Sequence, residues 1–174
     1  MGLAARVFLG SDESSGDAAR PRPHLTAVGG ETFAERWKSR VISAVVVEDD
    51  PAMRLLVQFN LEGAGFRVVL AETGSEGIEA VAAEQPDVVL LDVMLPDMGG
   101  FEVAERIGDV PIVFMSARTS TADFERGREV GAIDYITKPF DPVALPDRVR
   151  EDLIELDRGG SASHVWALRF GPTP

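Results

Sequence analysis

Several apolar stretches of this chain each end in a polar side chain that could take part in phosphoryl chemistry. The polar groups are carboxylates, one hydroxyl and one ammonium, and they are Glu48, Asp49, Asp92, Ser116 and Lys138. Carboxylate oxygens bind divalent cations, while hydroxyl and ammonium groups stabilise phosphoryl oxygens. Brought together, these groups would supply the residues that a phosphoryl site needs.

The apolar stretches themselves predict strands. The run Val88 to Leu91 is continuous and aliphatic, which is typical of a strand buried on both faces of a parallel sheet. Asp92 would then lie at the carboxyl end of that strand, where open α/β sheets bind their ligands. Burying an ionised carboxylate without compensation costs several kcal/mol. Asp92 therefore needs donors, a cation or a chemical role.

From Val41 to Leu156 five predicted strands alternate with five predicted helices. Helix signals include the Asp50-Pro51 start, the capping box Thr73 to Glu76, and Gly131 as a residue that ends a helix. Right-handed βαβ crossovers give a doubly wound α/β domain with a parallel sheet covered on both faces. In a parallel sheet the carboxyl ends of all strands lie at the same edge, so the polar side chains that follow the strands should converge there.

Each polar residue also has a simpler interpretation. Asp50 is an ordinary N-cap, an acidic run is usually a solvated loop, Ser116 suits a turn, and Lys138 suits the surface. Exposure to solvent alone does not explain why four separate strand ends together supply the carboxylates, the hydroxyl and the ammonium that a phosphoryl site needs. The set, rather than any one residue, therefore carries the hypothesis.

Composition narrows the functional classes. The chain has 174 residues, a formal net charge of −12 and no cysteine. Its acidic residues are concentrated in the predicted domain, which argues against direct nucleic acid binding and favours cations. No apolar run is long enough to cross a membrane and no secretory signal is evident, so no membrane association is expected. The absence of cysteine fits a cytoplasmic location.

The domain is predicted to span residues 41–157. Residues 1–40 have the composition of a disordered N-terminal extension, although Phe33 and Trp37 could share one face of a short helix. Residues 158–174 form a C-terminal tail whose segment Val165 to Phe170 could add an edge strand or pack on a helix. We expect this tail to be loosely ordered.

The joint signature resembles the receiver domain of bacterial two-component response regulators. The matching motifs, in order, are Glu48 to Pro51, Leu91 to Pro96, Met115 to Ala117, and Asp134 to Phe140. The resemblance implies a flavodoxin-like sheet of order 2-1-3-4-5. It also implies that Asp92 accepts a phosphoryl group from a histidine kinase or histidine phosphotransfer protein. The only reactions expected are then phosphorylation and dephosphorylation of the protein itself, without turnover of external substrates.

The resemblance assigns roles to individual residues. Mg²⁺ would be bound by Asp49, Asp92 and the backbone carbonyl of Met94, with Glu48 acting through water. The phosphoryl oxygens would be held by Ser116, Lys138 and the backbone N–H groups of Val93 and Ala117. Ser116 and Tyr135 would act as the switch that changes the face made by the fourth helix, fifth strand and fifth helix. Met94 and Arg118 would flank the path of attacking water.

Two features near the end of the domain bear on its behaviour. The Lys138-Pro139 bond resembles the cis peptide common in this family. Pro146 lies inside the last predicted helix, where proline costs about 3 kcal/mol unless the helix restarts there, and this argues against homodimerisation through that helix. Because no length is left for a DNA-binding domain after Asp157, we expect either that output passes through a partner protein or that this is a receiver detached from its effector.

Two alternatives remain open from the sequence. The domain could bind partners independently of phosphorylation, although the complete set of site residues argues against this. It could also be an Mg²⁺-dependent phosphatase with an aspartate nucleophile. Such sites usually place a second acid two residues after the nucleophile, and here that residue is Met94.

Overall fold

The computed structural model of the protein describes residues 40–171. Its five strands are β1 (Ser43–Val47), β2 (Arg67–Ala71), β3 (Val88–Asp92), β4 (Ile112–Ser116) and β5 (Asp134–Thr137). All neighbouring strands pair in parallel, in the order β2-β1-β3-β4-β5. The predicted doubly wound sheet and its strand order are therefore confirmed.

Six helices surround this sheet in the described part of the chain. They are α1 (Pro51–Gly63), α2 (Gly74–Glu84), α3 (Gly100–Ile107), α4 (Thr121–Glu129), α5 (Leu145–Asp157) and α6 (Ala162–Phe170). None of the described helices is both long and apolar enough to span a bilayer. The expected disorder of residues 1–40 and the short helix carrying Phe33 and Trp37 fall outside the described residues, Arg40 excepted.

The two faces of the sheet carry separate apolar cores. Val57 of α1 and Val149 of α5 pack on one face, while Val81 of α2, Val103 of α3 and the half-buried Phe124 of α4 pack on the other. Every residue of β3 and β4 is buried, which explains why these strands show unbroken apolar runs rather than alternation.

Local signals place most helix ends where they were predicted. Asp50 caps α1, and its side chain accepts from the amide of Met53 at 2.7 Å. Thr73 caps α2 by accepting from the amide of Glu76 at 3.2 Å, but the Glu76 carboxylate accepts from the amide of Glu72 instead of returning to Thr73. The capping box is thus half formed. Gly131 follows α4 with a φ of 80°, as the sequence predicts.

Two expectations about the end of the domain are wrong. Residues 162–170 form helix α6, with Val165 and Trp166 buried, instead of a loosely ordered tail. Pro146 lies in the first turn of α5, where its missing N–H would have had no partner in the helix. The helix therefore continues without interruption, and the argument against homodimerisation that depended on a break loses its support.

Two buried carboxyl groups lie close to each other, Asp134 at the start of β5 and Asp152 in α5. Asp134 is fully buried and accepts from Arg148 at 2.5 and 2.8 Å. Asp152, 2% exposed, accepts from Arg169 at 2.9 Å through Oδ1, whereas its Oδ2 has no hydrogen-bond partner among the described residues. Burial, reinforced by the nearby charge of Asp134 and opposed by Arg169, raises the pKa of Asp152 to about 7. A proton on Oδ2 would satisfy this atom.

We expect Asp152→Asn to change how stability depends on pH. Because the pKa of Asp152 rises from 3.8 to about 7 on folding, its contribution is present at low pH and is lost as pH rises through this window. Relative to the variant, the natural protein should lose a few kcal/mol of unfolding free energy between pH 4 and pH 7. Urea unfolding at several pH values measures this.

The control is Asp147→Asn, which alters an exposed carboxyl on the same helix. Its unfolding free energy should stay within about 0.5 kcal/mol of the natural protein throughout. Parallel pH profiles for Asp152→Asn and the natural protein would contradict a proton held by this pair.

Candidate functional site

Asp92 lies at the carboxyl end of β3 and is 6% exposed. Its Oδ2 accepts from the Lys138 ammonium at 2.5 Å, and its Oδ1 accepts from the amide of Met94 at 2.9 Å. Both carboxylate oxygens therefore have a donor, and one donor is charged. This is the compensation that a buried carboxylate needs.

The ammonium of Lys138 serves a second carboxylate as well. Glu48, 1% exposed at the end of β1, accepts from Lys138 Nζ at 2.6 Å. Burial raises the pKa of Glu48, and the charge of Asp92 adds to this, while Lys138 opposes it. Burial would lower the pKa of Lys138, but its bonds to Asp92 and Glu48 outweigh burial and raise that pKa. Lys138 therefore remains a cation between two acids.

The acidic loop after β1 is held by Arg54, which the sequence analysis did not identify. Arg54 Nη1 donates to the carbonyls of Glu48 at 2.7 Å and Asp49 at 3.3 Å, and Nη2 pairs with Glu72 at 2.6 Å. Arg54 lies one turn into α1, where its amide donates to the Asp50 carbonyl at 2.9 Å. An arginine one helical turn after an acidic loop is the signal that could have identified it.

Three carboxylates form a cluster with the donor chemistry of a divalent cation site. One oxygen from each of Glu48, Asp49 and Asp92 lies within 4.8 Å of the others. Asp49 is exposed and the other two are buried, so the cluster opens to solvent on one side. Mg²⁺ prefers carboxylate oxygens together with water, and this donor set fits that requirement.

Ser116 and Tyr135 are linked through the loop after β4. Ser116, at the end of β4, is fully buried, and its Oγ accepts from the amide of Arg118 at 3.1 Å. Tyr135 is 1% exposed, and its hydroxyl donates to the carbonyl of Arg118 at 2.9 Å. Burial raises the pKa of the Tyr135 phenol, so it stays a donor at neutral pH.

Two residues fix the loop that follows Asp92. A Cβ on Gly100 would overlap the carbonyl oxygen of Asp92, so only glycine allows the start of α3 to approach β3 so closely. Asp97 accepts from the amides of Gly74 and Ser75 at 2.8 and 2.9 Å. These bonds lower the pKa of Asp97 to about 2 and join the loop to the start of α2. Neither residue was identified from sequence.

The remaining sequence-predicted residues lie beside these groups. Val93 follows Asp92 directly and is buried, and its carbonyl accepts from the Gly100 amide at 2.8 Å. Met94 is 60% exposed, and its amide already serves Asp92. Ala117 is exposed and follows Ser116. The Lys138-Pro139 bond is cis, as the resemblance implied.

Comparison with known proteins identifies the family. A sequence model of the response regulator receiver domain matches residues 44–150. The chain belongs to the response regulator receiver family. The predicted family is therefore confirmed, and the site lies at the carboxyl edge of a receiver sheet.

Characterised relatives place the receiver in longer regulators. The chain is 43% identical over 122 residues to the transcriptional regulatory protein CseB of Streptomyces coelicolor, covering 68% of this chain and 52% of CseB. It is 43% identical over 112 residues to the DNA-binding response regulator MtrA of Mycolicibacterium smegmatis, covering 63% and 49%. The chain thus spans about half the length of these relatives. The expectation that it does not bind nucleic acid directly stays a prediction.

Solved receiver structures share the fold. A CheY-like receiver domain protein from Methanospirillum hungatei has a TM-score of 0.65 and 28% identity, and the match covers 70% of this chain and 100% of that one. The BeF3-activated N-terminal receiver domain of RstA from Klebsiella pneumoniae has a TM-score of 0.60 and 36% identity, with coverage of 64% and 97%.

We expect Lys138→Met to destabilise the receiver and to make its stability depend on pH. The change leaves Glu48 and Asp92 buried without their cation, which should cost about 3 kcal/mol of unfolding free energy at pH 7. Because the folded-state pKa of Glu48 is already raised, the variant can take up a proton as pH falls. The deficit should therefore shrink at pH 5. Urea unfolding at both pH values measures it.

Arg106→Gln serves as the control because the Arg106–Glu102 pair is exposed, and it should change stability by less than about 1 kcal/mol. A Lys138→Met deficit that is equally large at both pH values would show that lost packing, rather than uncompensated charge, is the cause.

Proposed function

We propose that the chain is a phosphorylation-dependent signalling switch in which Asp92 accepts a phosphoryl group from a histidine kinase or a histidine phosphotransfer protein, with Mg²⁺ as cofactor. The observation that carries this proposal is the position of the Lys138 ammonium, 2.5 Å from Asp92 and 2.6 Å from Glu48. An ammonium and a carboxylate cluster around one nucleophilic aspartate are the groups that phosphoryl transfer needs.

The reaction forms one bond and breaks one. A carboxylate oxygen of Asp92 attacks the phosphorus of a phosphohistidine, the P–N bond breaks, and the imidazole nitrogen leaves with its electron pair. The phosphoryl oxygens bring their own negative charge next to Asp92, where Lys138 neutralises part of it and the Ser116 hydroxyl donates to one of them. The N–H groups of Val93 and Ala117 are the further donors in this proposal.

Mg²⁺ would be held by Asp49, Asp92 and the Met94 carbonyl, with Glu48 acting through water, and it would neutralise the charge of the phosphoryl oxygens. The residues of the chain would position the reacting groups. Arg54 keeps the acidic loop in place by its bonds to the carbonyls of Glu48 and Asp49. Such positioning is most of what phosphoryl transfer requires.

Switching would pass through Ser116 and Tyr135 to the face made by α4, β5 and α5, where an output partner protein would read the state. In this proposal the protein works in the cytoplasm and is not anchored to a membrane.

Magnesium binding provides the first test. Asp49→Asn should weaken Mg²⁺ affinity by about tenfold or more, because it replaces a charged ligand in an oxygen site, and calorimetric titration measures this. Asp50→Asn removes the same charge one residue away and keeps a good N-cap for α1, so its affinity should remain close to that of the natural protein. Equal losses in both variants would indicate general electrostatic attraction instead of a site.

Phosphorylation provides the second test. With Mg²⁺ and acetyl phosphate, the purified protein should gain a single phosphoryl group that is stable to acid and labile to base, detected by intact mass. Asp92→Asn and removal of Mg²⁺ by a chelator should each abolish labelling, while Asp50→Asn should retain it. Labelling that survives in Asp92→Asn would exclude Asp92 as the acceptor, and an unlabelled natural protein would favour a phosphorylation-independent interaction module.

A further inference from the structure

Helix α6 packs against the edge strand β5 and α5, and its side chains enter both cores of the domain. Val165 packs into the core shared with α1 and α5, and the next residue, Trp166, packs into the core shared with α2, α3 and α4. Both side chains are buried, at 1% and 6% exposure. The helix therefore covers part of the surface that α4, β5 and α5 would otherwise present to solvent.

Aromatic contacts attach α6 to the side chain of Tyr135. The Trp166 ring lies 6.5 Å from the Tyr135 ring and 4.7 Å from Phe170. Phe124 contacts the same two rings, lying 4.5 Å from Tyr135 and 5.4 Å from Phe170. A Cβ on Gly127 of α4 would lie 3.1 Å from both Trp166 and Tyr135, so a larger residue there would push against both rings.

An ion pair attaches the same helix to α5. Arg169 donates to the buried Asp152 carboxylate at 2.9 Å and to Glu151 at 3.1 Å. It also donates to the backbone carbonyl of Arg148 at 3.3 Å. A nine-residue helix alone would be marginal in water, so these contacts and its aromatic packing are what hold it.

Tyr135 connects this helix to the phosphoryl site. Its hydroxyl donates to the Arg118 carbonyl at 2.9 Å, and the Arg118 amide donates to Ser116 Oγ at 3.1 Å. Because Ser116 Oγ accepts from this amide, its own proton can point either to the neighbouring Tyr135 hydroxyl or to an oxygen bound next to Asp92. The arrangement that α6 packs against is therefore one in which Ser116 can donate to that oxygen.

We propose that Trp166 is a positioning residue, through which α6 holds Tyr135 and the loop after β4 in the arrangement that receives the phosphoryl group. The proposal rests on the function proposed above. Tyr135 is 1% exposed and packs against Phe124 and Trp166, so an outward movement of its ring would disturb the packing of α6. Docking of α6 and binding of a phosphoryl group then favour the same arrangement, and each must strengthen the other.

The test compares full-length variants in their affinity for beryllofluoride, a phosphoryl mimic, in the presence of Mg²⁺. Trp166→Ala should weaken the affinity by about fivefold or more. Trp166→Phe should restore most of it, since it keeps an aromatic ring at the position. The matched control is Leu168→Ala, which removes a side chain that is 59% exposed on the same helix, and its affinity should stay within about twofold.

Hydrogen exchange provides a readout that does not depend on ligand affinity. Trp166→Ala should increase exchange in α4 and α6 without ligand, and beryllofluoride should slow exchange in α6 of the natural protein. Equal beryllofluoride affinity for Trp166→Ala and the natural protein would overturn the positioning role. If the natural protein does not bind beryllofluoride, the proposed function fails, and unchanged exchange in Trp166→Ala would separately refute the docking.

A second variant guards against global unfolding of Trp166→Ala, which circular dichroism would reveal. Phe170→Ala removes a ring that is 40% exposed but contacts both Phe124 and Trp166. It should weaken beryllofluoride affinity in the same direction by a smaller factor. A folded Phe170→Ala protein with unchanged affinity and unchanged exchange in α6 would also overturn the proposal.

Discussion

The Lys138 ammonium between Glu48 and Asp92 is the interaction on which the site depends. The strand order brings β1 and β3 side by side, so the two carboxylates meet at neighbouring strand ends. Lys138 follows β5, which is two strands away from β3, or about 10 Å at ordinary strand spacing. Only a long side chain crosses the end of β4 to reach both acids. The backbone amide of Lys138 donates to the carbonyl of Ser116 at 2.8 Å, which fixes the start of this side chain beside β4.

The apolar strands beneath this site strengthen the attraction within the ion pair and also make its charges costly to bury. Val88 to Leu91 and Ile112 to Met115 are buried, so the carboxylates lie against a medium that solvates charge poorly. In that setting each acid needs a fixed partner, and the partner must stay charged. The loop bonds made by Arg54 and Asp97 keep the acids in place, which matters because a buried ion pair stabilises only with good geometry.

The alternation of strands and helices was sufficient to predict a parallel sheet and the meeting of Glu48, Asp92, Ser116 and Lys138 at the carboxyl ends of its strands. The strand order came from the resemblance to receiver domains. The sequence did not predict Arg54 or Asp97, since each acts through backbone groups: Arg54 binds carbonyls of the acidic loop just before its helix, and Asp97 binds amides at the start of α2. The tail was misjudged for a related reason. Val165 and Trp166 are adjacent apolar residues in a short helix, and their order comes from the surface they cover, which local propensity does not describe.

The position of α6 would constrain the output partner proposed above. A partner that binds where Trp166 and Phe170 now lie would have to displace them. Its apparent association constant would equal the intrinsic constant multiplied by the fraction of molecules in which the helix is undocked. If the phosphoryl group strengthens docking, such a partner would prefer the unphosphorylated state. A partner of the phosphorylated state would instead have to recognise surface that α6 leaves open, or α6 itself, of which Leu168 is an exposed part.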